Sequence, residues 1–252
     1  MHPWLQDPMI YSVKEFRPTY RGVKELRFLL CGPVGAGKSS MINTMKAIFH
    51  NKFIGWEAAS DGYRKYNFGN APFTFFDVMG MEEGVYKGVH PDDIINALKG
   101  HIPENYTFRE NDPIDEDNRH YILNPTLTDQ IHCLVCVIAA DKISMMDEEV
   151  IQKMKTVRRA AYELKIPQVL FMTRVDKACT MSQNDLTKVY QSKKIKEKVS
   201  YFTCLLGFAL NCIFPVKNYS EETKPDEKLN CLMLDAFTKT LDVADEFVNQ
   251  YN

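Results

Sequence analysis

Short apolar runs alternate along the chain with longer segments whose apolar residues recur at helical spacing. The runs at 26–31 and 131–139 are nearly continuous, which is typical of strands buried on both faces. Further strands are predicted at 63–68, 73–76, 168–172 and 211–215, and helices at 38–49, 150–164, 186–206 (one or two) and 228–248. Strands that alternate with helices of this length predict an α/β fold: a doubly wound, mostly parallel sheet of about six strands with helices on both faces.

Two stretches depart from this alternation. Residues 100–129 contain three prolines and the acidic run 112–117, and their length exceeds an ordinary connection, so we expect a surface insertion. Residues 1–25 mix aromatic and charged side chains and are expected to dock on the domain as a helix. A C-terminal helix is expected over 226–250.

The balance of charge excludes some classes of function. The 252 residues carry 31 basic and 33 acidic side chains, a net charge of -2. Binding to nucleic acids or membrane surfaces needs a basic excess, so we expect neither. The longest apolar run, 133–140, has eight residues and is too short for a transmembrane segment. The N-terminus lacks the basic start and apolar core of a secretory signal.

The cysteines indicate a reducing compartment. Seven of them are scattered mostly within apolar runs, and an odd number favours a reduced, cytoplasmic protein. Cys133 and Cys136 form a CxxC sequence preceded by His132. In a strand, positions three apart point to opposite faces, and no second pair stands at ligand spacing. We therefore predict core packing and no zinc.

The strongest chemical signal is the sequence GPVGAGKS at residues 32–39, which fits the pattern GxxxxGK[ST] between a predicted strand and a predicted helix. In such a phosphate loop, backbone N–H groups and the helix N-terminus hold phosphates. Lys38 would add a charge at the β- and γ-phosphates, and Ser39 a hydroxyl ligand for Mg²⁺. A chance glycine-rich turn is the alternative. The predicted phosphate-binding residues here are Gly32, Gly35, Ala36, Gly37, Lys38, Ser39 and Ser40.

The sequence DVMG at residues 77–80 supplies the other groups that a nucleoside triphosphate site needs. Asp77 would hold the water shell of Mg²⁺, so Ser39 and Asp77 are the predicted metal ligands. The Gly80 N–H would meet the γ-phosphate. DxxG alone is a weak pattern, but its position after a phosphate loop and at the end of its own strand makes it informative.

Base selection is assigned to residues 173–176, whose sequence TRVD matches [NT]KxD with Arg174 in place of lysine. Asp176 would accept hydrogen bonds from the guanine N1–H and 2-amino groups, which adenine cannot supply. Arg174 would lie along the face of the base. Thr173 and Asn218 complete the predicted guanine-binding set, and Asn218 is placed there only because its loop follows the last strand. The alternative for Asp176 is an N-cap residue that opens the next helix.

Catalytic groups have no strong signal. Met81 lies where many such enzymes carry a water-orienting glutamine, and a thioether cannot orient water. No threonine lies between positions 45 and 73, and Ser60, the one aliphatic hydroxyl there, is interpreted as a turn residue. Glu82 and Glu83 are weak catalytic candidates, for which a solvated acidic helix start is the favoured alternative. Slow hydrolysis is therefore expected.

Several segments, some of them outside these motifs, carry a wider resemblance. They are 3–4 (PW), 31–40, 63–66 (YRKY), 92–94 with Leu98 and Gly100, 127–133 (LTDQIHC), 206–210 and 218–220. With them the chain resembles the GTP-binding domain of the interferon-induced protein 44 family. The resemblance implies a Ras-like GTP-binding fold, a cytoplasmic location, induction by interferon and a role in antiviral innate immunity. Longer members carry a TLDc-type N-terminal domain that these residues do not resemble, so we expect a short member or an excised domain.

Three functions follow from these motifs. The first is a GTP-binding switch protein with slow or partner-dependent hydrolysis, which presents residues 55–70 and 80–90 to a protein partner or a second copy. The second is a GTP-stabilised scaffold without meaningful turnover. The third is a P-loop ATPase or kinase, which requires a preference for ATP. Because the phosphate loop, Asp176 and the last strand must meet at one nucleotide, residues 1–252 are expected to form a single domain.

Overall fold

Six strands form one sheet in the computed structural model, which describes residues 6–53, 55, 57–58, 62–84, 87–109 and 112–252. The strands are β1 (Leu26–Cys31), β2 (Arg64–Asn67), β3 (Phe73–Asp77), β4 (Cys133–Ala139), β5 (Gln168–Thr173) and β6 (Ile213–Pro215). Their order is β2-β3-β1-β4-β5-β6, and all are parallel except β2, which runs antiparallel to β3. The connections leave β1 and β4 in opposite directions, so a ligand crevice is expected outside the carboxyl ends of these two strands.

The helices surround this sheet. They are α1 (Gln6–Glu15), α2 (Lys38–His50), α3 (Pro91–Lys99), α4 (Glu148–Glu163), α5 (Val175–Ala178), α6 (Thr180–Asn184), α7 (Lys193–Leu206) and α8 (Glu227–Asn249). The segment 186–206 is a 3₁₀ turn followed by α7. Helix α3 was not predicted, although its signals are present: the His90 side chain caps it, a proline opens it, and Gly100 ends it at φ 87°.

Aromatic side chains fill the core between the sheet and α8. The Phe237 ring of α8 lies 5.4 Å from Phe28 of β1 and 4.6 Å from Phe73 of β3. Such edge-to-face contacts add to the burial of apolar surface. Helix α1 packs against α8, and the Thr19 N–H after it donates to Asp245 Oδ1 over 2.7 Å. The N-terminal segment and the C-terminal helix thus form one layer.

The CxxC sequence lies inside the sheet. Cys133 and Cys136 are fully buried in β4, and Cys136 Sγ is 3.5 Å from Cys31 Sγ of β1. His132 is buried too: its Nδ1 accepts from the Arg27 N–H, and its Nε2 donates to Leu127 O. Burial lowers the pKa of His132 to about 4, so it is neutral. The predicted core packing is confirmed. In the described ranges no group of three metal-ligating side chains comes together, and no helix is long and apolar enough to cross a bilayer.

Residues 100–129, where the structure describes them, are attached to α3 through Asp93. This fully buried carboxylate accepts from the Ile114 N–H over 2.9 Å, while its Oδ2 has no hydrogen-bond partner in the described chain. Burial raises the pKa of Asp93 to about 6, and the neighbouring carboxylates of Asp92 and Asp112 act in the same direction. The folded protein therefore holds a proton that the unfolded chain, with an ordinary aspartate, releases.

This proton predicts a pH-dependent stability. A raised pKa in the folded state means that the contribution of Asp93 is present at low pH and is lost as pH rises through 6. We expect Asp93→Asn, which stays neutral, to be more stable than the wild type at pH 7 by about 1 kcal/mol, and to lose most of that difference at pH 5. Urea unfolding of both proteins at the two pH values measures this. A difference that does not change with pH would contradict the assignment.

Candidate nucleotide-binding site

The phosphate loop connects β1 to α2 at the crevice that the topology predicts. Gly32 is packed so tightly that a Cβ there would lie 2.1 Å from Val137 O of β4. Gly37 holds the N-cap of α2 at φ 100°, and no side chain caps this 13-residue helix. In the described part of the chain, the first-turn N–H groups therefore have no intrahelical or side-chain acceptors, which is the arrangement that binds anions.

Lys38 lies nearly buried within this loop. Its Nζ donates to Gly32 O over 3.1 Å and to Pro33 O over 3.3 Å, so within the described part of the chain its acceptors are neutral carbonyls. Burial lowers the pKa of Lys38, and the nearby carboxylate of Asp77 opposes this effect. A phosphate oxygen would be a stronger acceptor for the ammonium than either carbonyl.

Two oxygen ligands meet beside the loop. Ser39 Oγ lies 3.4 Å from Asp77 Oδ2, and the buried Asp77 Oδ1 has no hydrogen-bond partner among the described residues. Burial raises the pKa of Asp77 to about 6, which Lys38 partly offsets. A hydroxyl beside a carboxylate with an unused oxygen fits the ligand chemistry of Mg²⁺. Ser39 and Asp77 are the two residues that the sequence predicts as metal ligands.

A cavity of about 310 Å³ opens on these groups. Its walls are Val34, Gly35, Gly37, Lys38, Ser39, Ser40, Glu57, Asp77, Val78 and Gly80. Val34, Val78 and Glu57 were not predicted as site residues, and of these Glu57 is the one that lies outside the GPVGAGKS and DVMG sequences, with no local pattern to mark it. It is held by Asn43, whose Oδ1 accepts from the Glu57 N–H over 2.9 Å, and by an ion pair with Lys46. Ser60, the serine interpreted as a turn residue, lies outside the described residues.

Two of the predicted base-side residues lie next to the phosphate loop. Thr173 Oγ1 donates to Ala36 O over 2.6 Å, and Asn218 Nδ2 donates to Gly37 O over 2.9 Å. The ends of β5 and β6 therefore hold the phosphate loop through side chains. Asn218, which the sequence placed at the site by chain order alone, thus lies beside the loop. Its side chain bonds to the backbone of Gly37.

Asp176 lies in the first turn of α5 and is 9% exposed. Arg174, not Asp176, is the N-cap residue, so the alternative of a capping aspartate is wrong. Among the residues that the structure describes, no hydrogen bond to this carboxylate is found, and Lys217 Nζ is 4.0 Å away and closer to Glu222, at 2.6 Å. Asp176 is therefore available to a ligand.

The segment after Gly80 pairs with the phosphate loop. The Met81 N–H donates to Gly32 O, and the Val34 N–H donates to Met81 O, each over 3.1 Å. Met81 is buried, so an apolar side chain takes the position of a water-orienting one. Glu82 and Glu83 are exposed in a loop beside a groove of about 730 Å³. Their interpretation as a helix start is wrong, because α3 begins nine residues beyond Glu82, at Pro91.

Helix α4 holds the same segment from the other side. Lys153 Nζ donates to the carbonyls of Glu82, Gly84 and Lys87 over 2.8–3.1 Å. The Gly84 N–H donates to Glu149 Oε2 over 2.6 Å. One ammonium group thus satisfies three backbone carbonyls that have no strand or helix to satisfy them.

Removal of this ammonium should loosen the segment. In Lys153→Met, whose side chain has similar length but no donor, we expect amide hydrogen exchange at residues 81–84 and 87–89 to rise by about tenfold. Hydrogen-exchange mass spectrometry measures it. Lys155→Met on the same helix is the matched control, because no ion pair or hydrogen bond of its side chain is found in the described chain. Unchanged exchange in Lys153→Met would show that the three bonds contribute nothing.

Solved structures share this architecture. The chain is similar to Toc33 from Arabidopsis thaliana in complex with Mg²⁺ and GMPPNP, with a TM-score of 0.54, 13% identity, and coverage of 96% of this chain and 91% of that one. It is also similar to Toc33 in complex with GDP and Mg²⁺, with a TM-score of 0.52, 14% identity, and coverage of 94% and 89%. The predicted fold is confirmed: the chain has the Ras-like P-loop fold of such GTPases.

Sequence comparison identifies the family. The chain is 33% identical to interferon-induced protein 44 of Mus musculus over 97% of its length, and 30% identical to interferon-induced protein 44-like of Homo sapiens over 95%. These relatives are homologues over nearly the whole of this chain and support the interferon-induced protein 44 and 44-like family, as the resemblance implied. It spans 60% and 56% of the length of these two relatives. No family model matches the chain.

Proposed function

We propose that this chain is a single GTP-binding domain that takes GTP or GDP together with Mg²⁺. The observation that carries the proposal is the meeting of three separate segments at the carboxyl edge of the sheet. The phosphate loop follows β1, Asp77 ends β3, and residues 173–176 lie at the end of β5, with Thr173 bonded to the loop at Ala36. The Toc33 structures, whose nucleotide and ion are those of that protein, support it by fold.

The chain's own residues have distinct tasks in this proposal. The uncapped start of α2 and Lys38 bind and orient the phosphates. Ser39 and Asp77 hold Mg²⁺, which when bound neutralises phosphate charge. Asp176 accepts the guanine donors, and its burial makes an unpaired carboxylate costly with any other base.

The use of the nucleotide is the second part of the proposal. The chain acts as a switch in the interferon-induced antiviral response in the cytoplasm, and hydrolysis is slow or depends on a partner. Supporting this, Met81 is buried and bonded to the phosphate loop through its backbone, so it offers no group that orients water. The partner, or a second copy of the chain, would contact the segments 55–70 and 80–90. Induction by interferon is supported by the names of the relatives.

A GTP-stabilised scaffold is the second candidate. It is favoured by the bonds of Met81 to the phosphate loop and by those of the carbonyls of Glu82, Gly84 and Lys87 to Lys153, which keep these described residues in place. A P-loop ATPase or kinase is the third, and no contact at residues 173–176 favours it. Glu82 and Glu83 stay weak catalytic candidates because they are exposed.

Two measurements test these proposals. Calorimetry with GTP, GDP and ATP in the presence of Mg²⁺ should show binding of both guanine nucleotides and little binding of ATP; a preference for ATP would overturn guanine recognition. Single-turnover hydrolysis by dilute protein should be slow. Fast hydrolysis by the monomer would overturn the dependence on a partner, and hydrolysis at a catalytic rate would exclude the scaffold.

A further inference from the structure

Asp141 and Lys142 follow β4 at the edge of the sheet where the nucleotide site lies, and neither belongs to a nucleotide-binding sequence pattern. The turn that carries them is fixed by its backbone. The Lys142 N–H donates to Ala139 O over 3.1 Å, and the Ala140 N–H donates to Thr173 O over 2.8 Å. Through Thr173, the turn is joined to both β5 and the phosphate loop.

Asp141 holds the arginine that replaces the usual lysine of the base-reading sequence. Arg174 Nη2 donates to Asp141 Oδ2 over 2.7 Å. Its backbone is in the left-handed region at φ 59°, which sets the direction in which the side chain leaves the strand end. The Arg174 side chain is 41% exposed and that of Asp141 is 20% exposed. The carboxylate thus holds one edge of the guanidinium plane while part of the group stays open.

The need for this partner follows from the shape of arginine. A guanidinium is planar, so it packs on an aromatic ring only when the plane is turned toward that ring, whereas the round ammonium of lysine has no such requirement. Two polar atoms of this pair, Arg174 Nε and Asp141 Oδ1, are buried and have no hydrogen-bond partner in the described chain. The pair is therefore held by a single hydrogen bond and can be shifted by a bound base.

Lys142 adds a positive charge beside the phosphate loop. Its Nζ is 3.6 Å from the position that a Cβ on Gly35 would occupy. In the described ranges the ammonium has no acid partner, in contrast to Lys46 or Lys217. A cation without an acid partner beside Gly35 adds positive charge on this side of the phosphate loop.

We propose that Asp141 and Lys142 form a further element of the nucleotide site. Asp141 is a positioning residue that turns the Arg174 plane toward a purine base, and Lys142 is a second cation for the phosphates. The proposal rests on the proposed function, and it accounts for an arginine at a position where lysine is usual.

The experiment measures affinities of the full chain for GTP, GDP and GMP by competition against a fluorescent GDP analogue. Asp141→Ala should weaken all three by about fivefold, and the double variant Asp141→Ala/Arg174→Lys should recover most of that loss, because lysine needs no orientation. Lys142→Met should weaken GTP and GDP by about fivefold and GMP less, with a smaller dependence on salt.

Matched controls separate these effects from changes in folding. Asp112→Ala breaks an exposed aspartate–arginine pair, 3.0 Å from Arg109, and Lys196→Met removes an exposed lysine of α7; neither should change an affinity. Unchanged affinities in Asp141→Ala and Lys142→Met, or a loss in Asp141→Ala that Arg174→Lys does not restore, overturn this inference alone. Absence of guanine-nucleotide binding by the wild type overturns the proposed function as well.

Discussion

Replacement of Lys38 by alanine should lower the affinity for GTP and GDP by roughly a hundredfold or more. The ammonium lies within the phosphate loop, and its acceptors among the described residues are two neutral carbonyls. Without it, the phosphates would enter a nearly buried site without their principal counter-charge, and removal of one partner of a buried ion pair costs about 3 kcal/mol or more. Calorimetry with GTP and with GDP in Mg²⁺ measures the loss.

Stability of the empty protein provides the control. Burial lowers the pKa of Lys38, which means that its charge is disfavoured in the folded protein without ligand. The unfolding midpoint of Lys38→Ala in urea should therefore be equal to that of the wild type or higher. A small loss of affinity, less than tenfold, would show that the loop does not bind phosphate as proposed.

Substitution of Asp176 should change which base is bound. Alanine there should lower the affinity for GTP by about a hundredfold to ten-thousandfold, because two charge-assisted hydrogen bonds are lost from a group that is 9% exposed. Asparagine should lower the affinity for GTP by a comparable factor and raise the affinity for XTP. Its amide N–H matches the 2-oxo group of xanthine but opposes the guanine 2-amino group. Competition of GTP, XTP and ATP for each protein measures this.

ATP supplies the decisive comparison for this prediction. The affinity of the wild type for ATP is expected to be low. It should be equally low in Asp176→Ala, because adenine has no donor pair for the carboxylate. Glu221→Ala is a suitable control on the same face, since Glu221 is 83% exposed and pairs with Lys177 over 3.6 Å. Equal losses for GTP and ATP in Asp176→Ala would mean that the residue supports the fold rather than the base.

Strands and long helices were predictable because their signal is local. An apolar run such as 131–139 has to be buried. In a central strand of a sheet, both faces of the run are covered and its backbone groups are hydrogen-bonded to the neighbouring strands. Helix α3 was also within reach, since its cap, its opening proline and its terminal glycine are all adjacent in sequence. It was missed because its short apolar pattern lies between two irregular stretches.

The site was predictable only in part. The phosphate loop and residues 173–176 carry fixed spacings, and the structure brings them together through Thr173. Glu57 and Asp141 lacked such a signal, because each acts through a residue at a distance: Asp141 pairs with Arg174, 33 positions away. The pairing of Met81 with the phosphate loop uses backbone atoms, which are the same for every residue type.

The two outer strands of the sheet bear on how copies of this chain could meet. On one side β6 has only three residues and ends in Pro215, which has no N–H to offer a further strand. On the other side β2 carries Arg64 and Lys65, and the adjoining Tyr63 N–H already donates to Tyr106 O over 2.8 Å. Short, charged or covered edges oppose strand addition. Pairing of copies should therefore take place through the face at the carboxyl ends of the strands or through helices, and should leave the sheet at six strands.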